Sequence, residues 1–196
     1  TAGRFHFHGV EVNFGKAGAN GTLDKLSPPF CIEQDGTRVK IWGRIDRVDT
    51  AADGSFTVYD YKTGRGPVTK ELLELERLQI PVYLMALEQL CFGAGKAVGG
   101  SYLGLRQPSR SSAGVWQREQ LGLAWRSKGL LTSTDWEEWF NRVRNELVTA
   151  VQGIRSGQFG LSLKECPNYC EYASGCRRRE GEGEGANEFT SEPATG

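Results

Sequence analysis

Apolar and polar residues alternate through the first third of the chain. GRFHFHGVEVNFG (3–15) has the period of two that predicts a strand. NGTLDKLSPP (20–29) reads as a loop. From 37 to 51 the alternation returns, with Val39, Ile41, Gly43 and Ile45 set against Lys40, Trp42, Arg44 and Asp46. ADG (52–54) is a turn signal, and SFTVYDYKTG (55–64) is the returning strand of a hairpin. The period then changes. Leu72, Leu75, Leu78, Val82 and Met85 fall at helical spacing within 70–90, and Pro81 predicts a break or a first turn near 78–80. AVGGSYLGL (97–105) predicts another strand, and SSAGVWQREQL (111–121) a further one. Thr134 and Glu137 fit a capping box that opens a helix ending at Gly157. Trp136, Trp139, Val143, Leu147 and Ile154 follow its period and are expected in the core. Strand, strand, strand, helix, strand, strand, helix predicts an α/β (α+β) arrangement: a central mixed β-sheet flanked by helices.

Composition narrows the function classes. Hydrophobic residues make up 38% of the 196, enough for a core in one domain with an appendage. No apolar run is long enough to span a membrane, and no signal-peptide pattern opens the chain. Twenty-four basic residues balance 24 acidic ones, so net charge lends no support to a generally basic nucleic-acid binder. The chain starts without Met and in the middle of a strand pattern, so we expect a fragment of a longer protein. Residues 179–196 are acidic, Gly-rich and without apolar periodicity, and are expected to be disordered.

The chemistry gathers in VYDYKTG (58–64). Asp60 and Lys62 are two apart on a strand and share a face, while Tyr61 takes the other. The preceding strand, GRIDRVD (43–49), carries Asp46 and Asp49. Paired antiparallel strands can bring two such acids within reach. Neighbouring carboxylates repel unless a cation lies between them, and Mg²⁺ takes hard oxygen donors of this kind. Lys62 beside them would stabilise charge on a phosphate. The alternative is a cross-strand ion pair with no catalytic role.

GRIDRVD, YDYKTG and LQIPVY (78–83), in that order, resemble the nuclease domains of the PD-(D/E)XK superfamily, with the RecB and AddB helicase–nuclease type as the nearest likeness. The likeness covers roughly residues 8 to 178. It implies a restriction-endonuclease-like core over 1–178, with Asp46 and Asp60 as metal ligands and the Tyr61 carbonyl completing the shell. It implies Lys62 as the catalytic lysine. Gln79 and Tyr83 would orient that lysine or contact the DNA backbone. Arg47 and Asp49 are left as a supporting ion pair. The upstream helical histidine common in the family has no counterpart. His6 and His8 lie within a strand pattern, and Glu11 is expected to face solvent.

Five cysteines is an odd number, and three are clustered: Cys166-x₃-Cys170-x₅-Cys176 within 161–178. Clustered thiols point to a metal centre in a reducing compartment, with Zn²⁺ and an iron–sulfur cluster both open. The context resembles the AddB-type iron–sulfur staple, which implies a [4Fe–4S] cluster whose fourth cysteine lies outside this chain. Neither Cys31 nor Cys91 sits where the family places it. The resemblance implies a Mg²⁺- or Mn²⁺-dependent deoxyribonuclease acting in double-strand-break repair and recombination. Single-stranded DNA and a helicase domain or subunit would be its partners, in the bacterial cytoplasm. No phosphate-binding G-x-x-x-x-G-K-[ST] loop is present, so the motor would lie elsewhere. The competing expectation is an inactive nuclease-like fold that binds DNA or docks a helicase. As it stands the chain lacks one metal ligand and one cluster ligand of the family, so weak cleavage or none is expected of it.

Overall fold

A computed structural model describes residues 4–15, 28–64, 66–106, 113–121 and 127–158. The described strands are β1 (His6–Phe14), β2 (Phe30–Gln34), β3 (Thr37–Ile41), β4 (Gly43–Thr50), β5 (Phe56–Lys62), β6 (Ala97–Gly104), β7 (Ala113–Gln117) and β8 (Leu130–Leu131). The α-helices are α1 (Thr69–Leu73), α2 (Gln79–Leu87), α3 (Arg118–Leu121) and α4 (Ser133–Arg155). Six strands form one mixed sheet in the order β1-β4-β5-β6-β7-β8, and β2 and β3 form a separate hairpin. The β1–β4, β4–β5 and β6–β7 pairs are antiparallel. The β5–β6 pair is parallel and is joined through α1 and α2, as a crossover connection requires. The protein is therefore a mixed α/β fold with a central mixed sheet and flanking helices. The chain divides into two compact units, 1–152 and 153–196. No described helix is long and apolar enough to cross a membrane.

The expected 52–54 turn forms as read: the Gly54 amide donates to the Ala51 carbonyl, and Asp53 accepts from the Ser55 amide. The long strand expected over 37–51 is two strands, parted at Trp42. β3 turns back onto β2, and β4 enters the main sheet. Gly43 lies under the Phe14 ring, where a Cβ would come within 2.6 Å of ring carbons. Strand β2 lay unread, although the Asp-Gly signal for its hairpin is present. Asp35 and Gly36 both take positive φ (50° and 70°), the pair of angles a two-residue type I′ turn needs.

The helical pattern over 70–90 is two helices. Leu75 has left-handed φ (63°) and closes the first segment. Pro81 sits in the first turn of α2, where its missing N–H costs no internal hydrogen bond. The cap of α4 is two residues earlier than expected. The Asp135 amide donates to Thr132 Oγ1 (3.2 Å), and the Asp135 carboxylate accepts from the Thr132 amide (3.3 Å) and hydroxyl (2.7 Å). Two overlapping frames, Thr132-x-x-Asp135 and Thr134-x-x-Glu137, compete in the sequence. Trp136, Trp139, Phe140, Val143 and Val148 are buried on α4, while Ile154 is exposed. The Trp139 indole N–H donates to the Leu72 carbonyl (3.2 Å), tying α4 to α1. Of the expected strand over 111–121, only Ala113–Gln117 is strand, and α3 follows it.

The seating of α2 on the sheet decides where the site can form. Its residues from Ile80 to Leu87 are all buried, so nothing but the apolar sheet can accept it. Gly100 on β6 makes the close approach possible: a Cβ there would lie 2.6 Å from Val58 Cγ2 and 2.7 Å from Ile80 Cγ2. Gly100→Ala should therefore lower unfolding free energy by ~1–3 kcal/mol, the usual cost of overpacking. Urea denaturation measures this, and in a double-mutant cycle with Ile80→Ala the two losses should combine to less than their sum, because Ile80 is the side chain the new methyl meets. Unchanged stability in Gly100→Ala alone would refute the close packing.

Candidate active site

The β4–β5 ladder runs from Thr50↔Phe56 to Arg47↔Tyr59 and stops there. One step further, that register sets Asp46 beside Asp60. At this point a carboxylate replaces a strand carbonyl: the Tyr61 amide donates to Asp46 Oδ2 (2.9 Å). In a strand, a residue's N–H and C=O point to the same side. The Tyr61 carbonyl therefore also faces the Asp46 side, while the Lys62 carbonyl turns the other way and accepts from the Leu105 amide of the β6 side (2.9 Å).

Asp60 shares its face of β5 with Phe56 and Val58, the face that α2 covers, and is 2% exposed. The Lys62 ammonium lies 2.5 Å from Asp60 Oδ1. Apart from this ion pair, the buried Oδ1 has no partner among the described residues. Lys62 Nζ donates to Gln79 Oε1 (2.9 Å), and Gln79 Nε2 donates to the Tyr83 hydroxyl (2.9 Å). Gln79 and Tyr83 are four apart on α2, hence on one face. The Tyr83 ring stands edge-on to Phe14 (centroids 6.3 Å). The fold thus brings Asp46, Asp60, Lys62, Gln79, Tyr83 and the Tyr61 main chain to one place. A residue that the sequence reading passed over joins them: Lys62 Nζ lies over the buried Tyr102 ring, 5.2 Å from its centroid. Within GGSYLGL, strand alternation alone gives no sign of this contact.

Burial pushes the Asp60 carboxyl above its ordinary range, Lys62 opposes that rise, and the Asp46 charge adds to it. Burial also raises the Tyr83 phenol, with Gln79 opposing and the charges of Asp60 and Asp46 adding. The group therefore holds more negative charge than Lys62 alone offsets.

The remaining acids and histidines lie elsewhere. Arg47 grips Asp49 with two hydrogen bonds (2.7 and 2.9 Å) and donates weakly to the Tyr61 hydroxyl (3.4 Å). Its guanidinium lies near the Phe7 and Tyr59 rings (5.9 and 5.5 Å). This is a supporting ion pair, with Tyr59 and Tyr61 on the face opposite Asp60. His6 pairs in register with Thr50, and His8 Nδ1 lies 3.4 Å from Thr50 Oγ1. Thr50 is four residues along β4 from Asp46, roughly 13 Å at strand spacing. Glu11 is exposed and ion-paired with Arg44. The Cys31 main chain exchanges two hydrogen bonds with the Gln89 side chain (2.9 Å each). Cys166, Cys170 and Cys176 lie outside the described residues.

Among the described residues no group of three or more His, Cys, Asp and Glu side chains comes together. The donors available to a cation are therefore two carboxylates and one main-chain carbonyl. That set fits a hard divalent ion, which keeps several waters when bound by one or two carboxylates. The buried Asp60 oxygen, whose one partner among the described residues is the Lys62 ammonium, fits it as well.

The mixed six-stranded sheet, its parallel crossover and the flanking helices are consistent with a restriction-endonuclease-like fold. The chain belongs to the PD-(D/E)XK nuclease superfamily, whose family model matches residues 1–177. Nucleases of this superfamily typically use Mg²⁺ or Mn²⁺. No curated protein matches the chain.

The raised Asp60 carboxyl has a consequence for stability. The folded state holds the Asp60 proton more tightly than the unfolded chain does. The favourable contribution is therefore complete below the ordinary carboxylate range and is lost as pH rises through the raised folded value. In chelator-treated protein, Asp60→Asn should raise Tm near neutral pH and shift it less at pH about 4, close to the unfolded carboxylate value. Thermal unfolding at the two pH values measures this. An Asn variant less stable than wild type at neutral pH would contradict the assigned cost of burying the charge.

Proposed function

We propose that this domain is a Mg²⁺- or Mn²⁺-dependent deoxyribonuclease that hydrolyses phosphodiester bonds of single-stranded DNA. It is of the RecB/AddB type, working beside a helicase in double-strand-break repair and recombination. What supports this reading above all is the convergence of Asp46, Asp60 and Lys62 at the point where β4 and β5 part, with α2 supplying Gln79 and Tyr83 to the same lysine. A structural ion pair would need Asp60 and Lys62 alone. It would explain neither the second carboxylate nor the glutamine–tyrosine relay.

In this reading Asp46, Asp60 and the Tyr61 carbonyl hold the divalent ion. When bound, the ion supplies Lewis-acid activation of the phosphate and of the attacking water. Lys62 stabilises the negative charge that grows on the phosphate oxygens during attack. Gln79 accepts a hydrogen bond from one ammonium N–H and so fixes the direction in which Lys62 presents the others. Tyr83 fixes the Gln79 amide in turn. Burial under α2 keeps water from screening these charges.

The same reading gives a nuclease domain over 1–178 and a disordered tail over 179–196, in the cytoplasm of a bacterium. It gives Cys166, Cys170 and Cys176 to a [4Fe–4S] cluster. Three thiolates are one short of the set such a cluster takes, so the fourth comes from outside this chain. Iron and sulfide analysis of anaerobically purified protein separates this from Zn²⁺ bound by the same thiols. The second functional reading is an inactive DNA-binding or helicase-docking module. The presence of Asp46, Asp60 and Lys62 together counts against it, because binding alone calls for no buried Asp60 carboxylate with a second acid beside it.

With Mn²⁺ or Mg²⁺ present, the full-length protein should degrade a labelled single-stranded oligonucleotide. Lys62→Ala should lower kcat by about 10²–10³-fold, as loss of one preorganised charge-stabilising donor does. Asp60→Ala should in addition lose Mg²⁺ affinity in calorimetric titration. An inert full-length wild type would reject the enzyme reading, and undiminished Mg²⁺ affinity in Asp60→Ala would reject the ligand assignment.

A further inference from the structure

We infer that Tyr102 is a positioning residue of this site, its ring seating the Lys62 ammonium and its hydroxyl capping the first turn of α2. The inference rests on the reading of Lys62 as the phosphate-facing cation. Tyr102 is 1% exposed on β6 and pairs in parallel register with Asp60. A buried phenol needs a partner for its hydroxyl. The Ile80 main chain, at the start of α2, lies beside that oxygen.

The start of α2 explains why the Ile80 amide needs an acceptor outside the helix. The first N–H groups of a helix have no internal partner. Leu78, at the cap position, offers no side-chain hydrogen bond, and Pro81 has no N–H. Val82 already donates to the Leu78 carbonyl (3.0 Å). Ile80 is left to donate outward, and Tyr102 lies beneath it. Gln79, the residue before Ile80, accepts from Lys62 Nζ (2.9 Å), and Lys62 Nζ lies over the Tyr102 ring (5.2 Å). These neighbours close a ring: phenol oxygen, Ile80 main chain, Gln79 amide oxygen, Lys62 ammonium, phenol face.

Chemistry gives that ring a purpose. Lysine is a point charge on a flexible four-carbon stem. Asp60 holds one side of its ammonium, 2.5 Å away, and leaves the rest of its direction unset. An aromatic face attracts the cation from below and uses none of its hydrogen-bond donors. With one N–H on Gln79 and one side of the ammonium against Asp60, donor capacity remains for a phosphate oxygen. Leucine would fill the same volume but would neither attract the cation nor accept from Ile80.

Two variants separate the halves of this role. Tyr102→Phe keeps the ring face and loses the acceptor, and Tyr102→Leu loses both. The direct readout is the Lys62 ε-methylene resonance in protein carrying ¹³C-lysine, taken in chelator without DNA and identified by its absence in Lys62→Ala. It should be shifted upfield by the ring in wild type and in Tyr102→Phe, and should lie at the ordinary lysine position in Tyr102→Leu. The Ile80 amide should exchange faster in both variants. In cleavage, Tyr102→Leu should lower kcat about tenfold, as loss of a desolvated cation–ring contact would, with KM for DNA within about twofold. Tyr102→Phe should keep most of kcat. Tyr102→Leu should have no further effect in a Lys62→Ala background. An ordinary ε-methylene position in wild type, or equal losses of kcat in Phe and Leu, would overturn the inference. The resonance is read without cleavage, so it decides the contact even if wild-type protein proves inert, an outcome that would count against the nuclease reading alone.

Discussion

Two carboxylates sit close together at the edge of an apolar face, with one lysine between them and solvent. The rest of the structure depends on that arrangement. Like charges in a poorly screened site repel strongly, and burial adds to the cost of keeping Asp60 ionised. The protein meets the cost in part with Lys62 and in part by giving Asp46 a main-chain donor, the Tyr61 amide. What is left is a net negative pocket with a buried oxygen that only Lys62 partners among the described residues. A divalent cation would reverse its sign and turn it into a place where a phosphate is welcome. The unfavourable charge balance of the bare chain thus suits a metal-loaded one.

Holding such a pocket open requires rigid walls. On one side the β4–β5 ladder must end at Arg47↔Tyr59, because a continued ladder would occupy the Tyr61 amide and hide its carbonyl. On another, α2 must lie close against β5 and β6, which Gly100 allows by having no side chain. The wholly apolar run from Ile80 to Leu87 binds the helix there, and its polar Gln79 is left at the near end to meet Lys62. On the opposite face of the sheet, Arg47 pairs with Asp49 along β4 and reaches the Tyr61 hydroxyl on β5. A single strand, β5, carries both the catalytic candidates and the apolar residues that bury them.

The local chemistry was readable because it obeys strand and helix periods. Asp60 and Lys62 share a face by the period of two, and Gln79 and Tyr83 share one by the period of four. The 52–54 turn and the change from strand to helix after Gly64 follow from residue type alone. The readings that failed did so where two local signals competed. Trp42 continues the alternation of its neighbours, yet the chain breaks there because Gly43 must pass under Phe14. Thr132 and Thr134 both offer a cap, and the burial of Trp136, Trp139 and Phe140 selects the earlier one. The Asp35-Gly36 signal was present and simply went unread.

The sequence by itself determined which groups could do chemistry: two acids, a lysine, a glutamine and a tyrosine, each placed on a named face of a strand or helix. Periodicity is a local property, so it fixes a face without fixing what lies opposite. Only the tertiary structure decided that Asp46 meets the Tyr61 amide across two strands, that Gln79 reaches Lys62 from a helix seventeen residues on, and that Tyr102 lies beneath the same ammonium. The last contact depends on the parallel β5–β6 pairing, which a crossover through two helices creates. Pairing between strands separated by such a crossover is set by how the whole apolar surface packs, and no short window of residues encodes it.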